Sequence, residues 1–242
     1  MLLPGETCEE LTAAGLKIIQ PAAGYRYSLD PFLLCDFVKI PSQAQIADLG
    51  TGSGIIPLLL SVRAKDAQIV GVELQSPVAD RARRSVELNA LSGRLRVMQG
   101  DVREIKALLP PQSFDVVLAN PPFREVGRGR VAPVAERKEA RHELAGGMDD
   151  FIRAGFFLLK DGGRFCMVFL AERLAELLAA MRRERLEPKR LRCVHAREGE
   201  GARLVLVEGR KRGGPGLAIE PPLYIHAGAD YTAEMQRIYR GG

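Results

Sequence analysis

From residue 45 onward, short apolar runs alternate with stretches whose apolar positions recur every three or four residues. The run Ile46-Ala47-Asp48-Leu49 predicts a buried strand. Ile55 to Val62 predicts a helix, with Pro57 in its first turn, where a missing N–H costs little. Gln68 to Glu73 predicts a second strand, and Pro77 to Ala90 an amphipathic helix with Ser76 as N-cap and Pro77 at the first helical position. Strands are expected at Leu95 to Gln99 and Phe114 to Ala119, separated by a short helix over Val102 to Leu109. FDVVLA (114–119) is apolar on both faces, the mark of a parallel strand covered by helices on both sides. Met148 to Leu159 predicts a helix, Asp161-Gly162-Gly163 a turn, Arg164 to Leu170 a fifth strand, and Ala171 to Arg185 a Leu/Arg-rich amphipathic helix. Lys189 to His195 and Arg203 to Gly209 come next without a long helix between them, which predicts an antiparallel hairpin at one sheet edge. The pattern is α/β: a doubly wound, mostly parallel sheet with an antiparallel C-terminal hairpin.

Three regions are expected: an extension over 1–44, the main domain over 45–212, and a tail over 213–242 packed on that domain. In the extension, Leu16 to Gln20 and Tyr25 to Ser28 predict a small hairpin around Pro21 and Gly24, followed by a helix over Asp30 to Val38. The tail ends in a helical pattern carrying Tyr231, Met235, Ile238 and Tyr239. Residues 124–147 have little periodicity and intersperse glycines with Arg124, Arg128, Arg130, Arg137, Lys138 and Arg141. Long irregular stretches inside compact domains usually carry function. Residues 210–216 (RKRGGPG) predict a basic turn, and no internal repeat is present.

Composition narrows the classes. A chain of 242 residues with 46% hydrophobic and 27% charged residues is an ordinary globular protein, not a disordered one. Cys8, Cys35, Cys166 and Cys193 form no C-x-x-C pair, so buried thiols in a reducing compartment are expected rather than a zinc site or a disulfide framework. Gly54 to Val62, the longest strongly apolar stretch, is less than half of the roughly 20 residues a membrane span needs. The N-terminus lacks the basic and apolar regions of a signal peptide, so the expected location is the cytoplasm. The net charge of +5 permits a polyanionic partner.

The chemistry concentrates at strand ends. The first strand of the domain runs into Asp48-Leu49-Gly50-Thr51-Gly52-Ser53-Gly54 and then a helix. Glycines there allow a tight turn and close backbone approach to a ligand. Glu73, at the end of the next strand, can accept two hydrogen bonds from a ribose diol, so an adenosine-containing cofactor is expected. The spacing is G-x-G-x-G rather than G-x-G-x-x-G, with an acid two residues before it. That resembles motif I of the class I S-adenosylmethionine-dependent methyltransferases. The resemblance implies that Gly50, Gly52 and Gly54 contact the methionine end of the cofactor and that Asp48 orients it. It also implies that Glu73 holds the ribose and that Asp101, with Val102 beside it, meets the adenine. The local alternative for Asp101 is a helix N-cap.

The fourth strand ends in Asn120-Pro121-Pro122-Phe123. As a purely structural element this is a rigid turn. After a buried strand at the same edge, it resembles motif IV of methyltransferases that modify an amino nitrogen conjugated to a ring or carbonyl. Such a nitrogen is a poor nucleophile, because its lone pair is delocalised. The Asn120 side-chain oxygen and the Pro121 carbonyl are acceptors that would favour pyramidal geometry as charge develops, with Pro121 and Pro122 fixing their direction. The resemblance also implies that Asn120 borders the cofactor, and Phe123 offers a face for an extruded base. The activated sulfonium implies no metal requirement.

Three further segments are similar to the small methyltransferases typified by bacterial tRNA1(Val) adenine-N6 enzymes. Tyr25 to Leu34 places Tyr27 and Asp30 near the cofactor by resemblance, Glu139-Ala140-Arg141-His142-Glu143 makes Arg141 and His142 substrate candidates, and the tail carries Pro222 to Ile225 and Tyr231 to Tyr239. The implied function is adenine-N6 methylation of RNA, most simply tRNA. Protein glutamine-N5 and rRNA guanine-N2 methylation remain alternatives sharing the N-P-P element, and a non-catalytic RNA-binding protein is a third. His195 is expected to be structural, and the basic run from Arg182 to Arg192 either a solvated face or an RNA platform.

Overall fold

A computed structural model describes residues 2–11, 15–23, 27–121 and 146–240. The chain opens with β1 (Glu6–Leu11) and β2 (Leu16–Pro21), paired antiparallel with Glu6 opposite Pro21. This corrects the expected hairpin: Leu16 to Gln20 does form a strand, but its partner precedes it. The partner, ETCEEL, carries too many carboxylates to read as a strand until its ties are seen. Residues 24–26 lie outside the described residues. Helix α1 (Asp30–Phe37) comes next.

The main sheet then builds as expected through β3 (Gln45–Leu49), α2 (Ile55–Arg63), β4 (Gln68–Glu73), α3 (Ser76–Leu88), β5 (Leu95–Gln99), a 3₁₀ turn (Val102–Glu104), α4 (Ile105–Leu108) and β6 (Phe114–Ala119). Further along the chain come α5 (Met148–Leu158), β7 (Leu159–Leu170), α6 (Leu174–Arg183), β8 (Leu186–His195) and β9 (Ala202–Lys211). Small strands β10 (Ala218–Ile219), β11 (Leu223–Tyr224), β12 (His226–Ala227) and β13 (Asp230–Tyr231) precede the last helix, α7 (Ala233–Arg240). Several boundaries differ from expectation by a few residues, β8 beginning at Leu186 instead of Lys189 and the helix expected over 171–185 spanning Leu174–Arg183. Gln75, not Ser76, is the N-cap of α3, which puts Pro77 one residue further in. The turn at Gly162 (φ +76°) lies within β7 as an irregularity instead of preceding it. Finally, β10 and β11 pair in parallel with β8, so the antiparallel β8–β9 hairpin is not the sheet edge; the tail is.

Strand order is β10-β8-β9-β7-β6-β3-β4-β5, with β11 also on β8. From β3 the chain moves one way through β4 and β5, then returns to the other side of β3 as β6. That reversal is the switch point at which doubly wound sheets bind ligands. Side chains alternate between two cores. Ile46, Ile69, Val116 and Leu118 face α1, α2, α3 and α7, while Ala47, Val70, Val117 and Ala119 face α4, α5 and α6. The N-terminal hairpin and the tail share the first core through Leu11, Ile18, Leu223, Met235 and Ile238.

The basic run is largely used inside the molecule. Arg183 pairs with Asp149 at 2.8 Å and Arg192 with Glu234 at 2.9 Å. Arg190 pairs with buried Glu208 and with Glu220, both at 2.7 Å, bonds the Phe37 carbonyl at 3.2 Å, and lies 4.3 Å from the Phe37 ring. His195 takes the expected structural place, its Nδ1 2.7 Å from the Glu200 carbonyl. Cys35 and Cys166 are buried, but Cys8 is exposed, contrary to expectation, because alternate residues of a two-stranded ribbon point to solvent. Among the described residues no helix is long and apolar enough to cross a membrane.

Removing one partner of a buried ion pair leaves the other charge uncompensated. Arg190→Ala is therefore expected to destabilise the fold by about 3 kcal/mol, measured as a shift in the denaturant midpoint at constant slope. A loss below about 1 kcal/mol would show that Arg164, 3.7 Å from Glu208, is sufficient compensation.

Candidate active site

The site is built from the C-terminal ends of four neighbouring parallel strands and the segments they lead into. β3 gives way to a turn in which Gly50, Gly52 and Gly54 all have left-handed backbones, with φ of +69°, +57° and +82°. Only glycine adopts such angles at alternate positions without strain. A Cβ at Gly50 would lie 3.1 Å from the Phe151 ring and one at Gly54 3.2 Å from the Ala82 Cβ, whereas at Gly52 nothing lies within 4 Å. The two outer glycines thus let the loop seat against α5 and α3, and the middle one faces open space.

Internal bonds hold the loop. Thr51 N–H donates to the Val72 carbonyl at 2.9 Å and Gly54 N–H to the Thr51 carbonyl at 3.0 Å. Gly52 N–H donates to Glu73 Oε2 at 3.0 Å, and Gln75 N–H to Glu73 Oε1 at 2.8 Å. Glu73 therefore stands at the end of β4 with one N–H on each oxygen, and burial pushes its carboxyl above the ordinary range. Beneath the loop, Gly71 has no room for a side chain, since a Cβ would meet Thr51 at 2.9 Å.

Asp48, the penultimate residue of β3, is wholly buried, and among the described residues neither of its carboxylate oxygens has a hydrogen-bond partner; nor does Thr51 Oγ1. Burial pushes the Asp48 carboxyl up to about 7, the Glu73 charge adding to the rise. The Thr51 hydroxyl is near enough to act in the opposite sense without meeting hydrogen-bond geometry. A buried carboxylate without a donor is costly in isolation. Its place at the switch point marks a spot suited to a cationic or donor-rich ligand.

The remaining expected residues divide. Asn120 and buried Pro121 directly follow β6, whose register sets Ala119 beside Leu49, so they lie next to the glycine loop. Asp101 follows β5 and is the N-cap of the 3₁₀ turn that begins at Val102, its carboxylate accepting from the Arg103 backbone at 2.9 Å and from the Arg103 guanidinium. The Arg103 bonds hold its carboxyl below the ordinary range. The local alternative for Asp101 is thus observed. Asp30 opens α1, which packs against α2, and burial pushes its carboxyl up. Tyr27 lies beside Phe32, ring centroids 6.0 Å apart. Pro122, Phe123, Arg141 and His142 lie outside the described residues.

Sequence reasoning passes over Gln20 and Ser53. Gln20 is 1% exposed, and its Nε2 donates to Ser53 Oγ in the glycine loop at 3.5 Å. The one signal in the sequence is a lone amide at the end of an apolar strand. No cluster of His, Cys, Asp or Glu that could hold a metal occurs among the described residues.

The Asp48 proton has a pH signature. The folded protein keeps it up to about pH 7, the unfolded chain only up to the ordinary value of 3.8. Between those limits the folded state holds more protons, so this group lowers stability as pH rises. Asp48→Asn is expected to gain on the unmodified protein from pH 4 to pH 7, by at most about 4 kcal/mol, and to level off above. Unfolding curves of both proteins across that range test it; a pH-independent difference would place the Asp48 pKa near its ordinary value.

The methyltransferase small domain family matches residues 31–183. A tRNA1(Val) (adenine(37)-N6)-methyltransferase of Porphyromonas gingivalis is 30% identical over 165 residues, 67% of this chain and 64% of that protein. A second relative of that name from the same species is matched over 56% of its length. The chain therefore spans less than two thirds of these relatives. A Vibrio parahaemolyticus protein of the same name is 27% identical over 224 residues, 89% of this chain and 87% of that one. A solved structure of a predicted O-methyltransferase from Agrobacterium tumefaciens is 27% identical with a TM-score of 0.73, covering 88% of this chain and 96% of that one. With residues 31–183 matched, the chain belongs to the methyltransferase small domain family.

Proposed function

We propose that this protein transfers the methyl group of S-adenosylmethionine to the exocyclic N6 of an adenine in RNA, with tRNA as the substrate. The observation that carries the reading is the position of Asn120-Pro121, directly after β6 and beside the glycine loop, with the Asp48 carboxylate, which has no hydrogen-bond partner among the described residues, near the end of the neighbouring strand β3. The names of the relatives from Porphyromonas and Vibrio support adenine and tRNA over guanine or protein glutamine. A tRNA substrate also agrees with the cytoplasmic location expected from the sequence.

The residues fit the cofactor. Asp48 answers a cationic group with an ionised carboxylate, and a positive charge there would lower its pKa. Glu73 spends one acceptor site per oxygen on Gly52 and Gln75 and retains others for a ribose diol. Asp101 is already engaged by Arg103, so it would accept from the adenine amino group alongside that pair. Asp30 at the start of α1 and Tyr27 just before it would complete the wall, and Val102 would pack on the base. When bound, the cofactor supplies a methyl group already activated by positive sulfur.

The chain's own part is to make a poor nucleophile competent. The Asn120 oxygen and the Pro121 carbonyl would accept the two N–H groups of the target nitrogen, turn it from planar toward pyramidal, and stabilise its developing charge. Proline at 121 limits the reorganisation this requires. Phe123, Arg141 and His142 are the candidates for holding the extruded base and its backbone.

Asn120→Ala is expected to lower kcat by about 10²–10³ with little change in cofactor affinity. Incubation with S-adenosylmethionine and unmodified tRNA, followed by nucleoside mass spectrometry, is expected to yield N6-methyladenosine. A methylated guanosine, a ribose O-methyl product or methyl-glutamine in protein would overturn the substrate, and full activity of Asn120→Ala would overturn the mechanism.

A further inference from the structure

The family match begins at residue 31, so the β1–β2 hairpin lies outside it. The hairpin is nevertheless tied along α3 by several polar contacts. The Asn89 side chain accepts from Lys17 N–H at 2.8 Å and donates to the Lys17 carbonyl at 2.6 Å, occupying both backbone groups of one β2 residue. Ser85 Oγ accepts from Ile19 N–H at 2.9 Å. Arg84 makes a two-pronged pair with Glu6 of β1, at 2.7 and 2.6 Å, and this holds the Glu6 carboxyl down to about 2. All three partners belong to α3 or its C-cap, the helix that starts shortly after Glu73. The hairpin therefore has a fixed seat relative to the proposed ribose-binding carboxylate.

At the end of β2 this seat delivers Gln20, wholly buried, against the glycine loop, with Nε2 on Ser53 Oγ. Ser53 lies between Gly52, whose N–H is held by Glu73, and Gly54, whose backbone abuts Ala82 of α3. The loop is thus gripped from two sides: Glu73 from the sheet and Gln20 from the hairpin. Three left-handed glycines at alternate positions have many other conformations to lose, so a second grip matters for an ordered loop. Among the described residues this buried primary amide is held by one long side-chain contact, which leaves it donor and acceptor capacity.

We infer that the N-terminal hairpin is a wall of the cofactor site and that Gln20 is a positioning residue, fixing Ser53 and with it the Gly52–Gly54 turn in the conformation that receives the amino-acid end of the cofactor. The inference rests on the reading of the glycine loop as an S-adenosylmethionine site. It assigns to residues outside the family match a part in setting cofactor affinity. Glu6 and Arg84 act as the anchor of that wall, and with the Glu6 carboxyl held near 2 the anchor stays charged at every pH at which the enzyme would work.

The test uses the full chain and S-adenosylhomocysteine in calorimetry, with thermal unfolding in parallel. Gln20→Leu removes the amide at similar volume, and Ser53→Ala removes its partner. Each is expected to weaken binding about three- to tenfold, the value of one hydrogen bond, and the double variant to be no weaker than the worse single one. Ser53→Thr, which keeps the hydroxyl, is expected to bind as the unmodified protein does. In turnover assays the KM for S-adenosylmethionine should rise while kcat stays within about twofold. Unchanged affinity in both Gln20→Leu and Ser53→Ala would overturn the inference, as would additive losses in the double variant. If Gln20→Leu unfolds, Ser53→Ala against Ser53→Thr decides alone. Failure of the unmodified protein to bind the ligand at all would instead sink the cofactor reading, so the two failures are distinguishable.

Discussion

A carboxylate buried with no hydrogen-bond partner among the described residues is the constraint around which the strand ends are arranged. Asp48 sits at the end of the strand where the sheet reverses its winding, flanked by Glu73 on one neighbour and by Asn120 on the other. The fold does not relieve the cost locally: among the described residues, no arginine or backbone N–H bonds to it. The cost is borne by the two cores, whose strands contribute apolar side chains to both faces around it. Local violations of the rule that buried polar groups are paired are expected at functional sites more than in finished interiors.

The central architecture can be read from the chain because its signals are short-range. Strands apolar on both faces, glycines at left-handed positions, and proline or polar residues at helix starts each act within a few residues. β4, β5 and β6 accordingly begin and end where the pattern places them. The departures are long-range. The partner of Leu16 to Gln20 escapes the pattern because β1 and β2 are held by Arg84, Ser85 and Asn89 at a helix some 70 residues away, and not by an apolar face of β1 itself. The sheet edge escapes it for a similar reason, since two-residue strands carry no periodicity.

The candidate site is legible wherever it consists of strand ends. Asp48, Gly50, Gly52, Gly54, Glu73, Asp101 and Asn120 come together because parallel strands deliver their C-termini to one edge. Gln20 is not legible, because glutamine at the end of an apolar strand has no spacing relation to a loop more than 30 residues later. Charge counting also misleads in one respect. The run from Arg182 to Arg192 looks like a polyanion surface, yet several of these cations are spent on Asp149, Glu208, Glu220 and Glu234.

The tail gives the molecule an order of assembly. β8 is flanked on its outer side by β10 and β11, and the first core is finished by Leu223, Met235 and Ile238, all from the last stretch of the chain. On a ribosome these residues emerge after every other strand of the sheet, so a nascent chain that already holds β3 to β9 still presents the backbone of β8 as an open edge. Open edges recruit other strands, and the exposure lasts until β10 and β11 pair with β8. The segment after β9 thus covers the edge of the newly made sheet, and a chain stopped near residue 215 would leave that edge open and prone to aggregate.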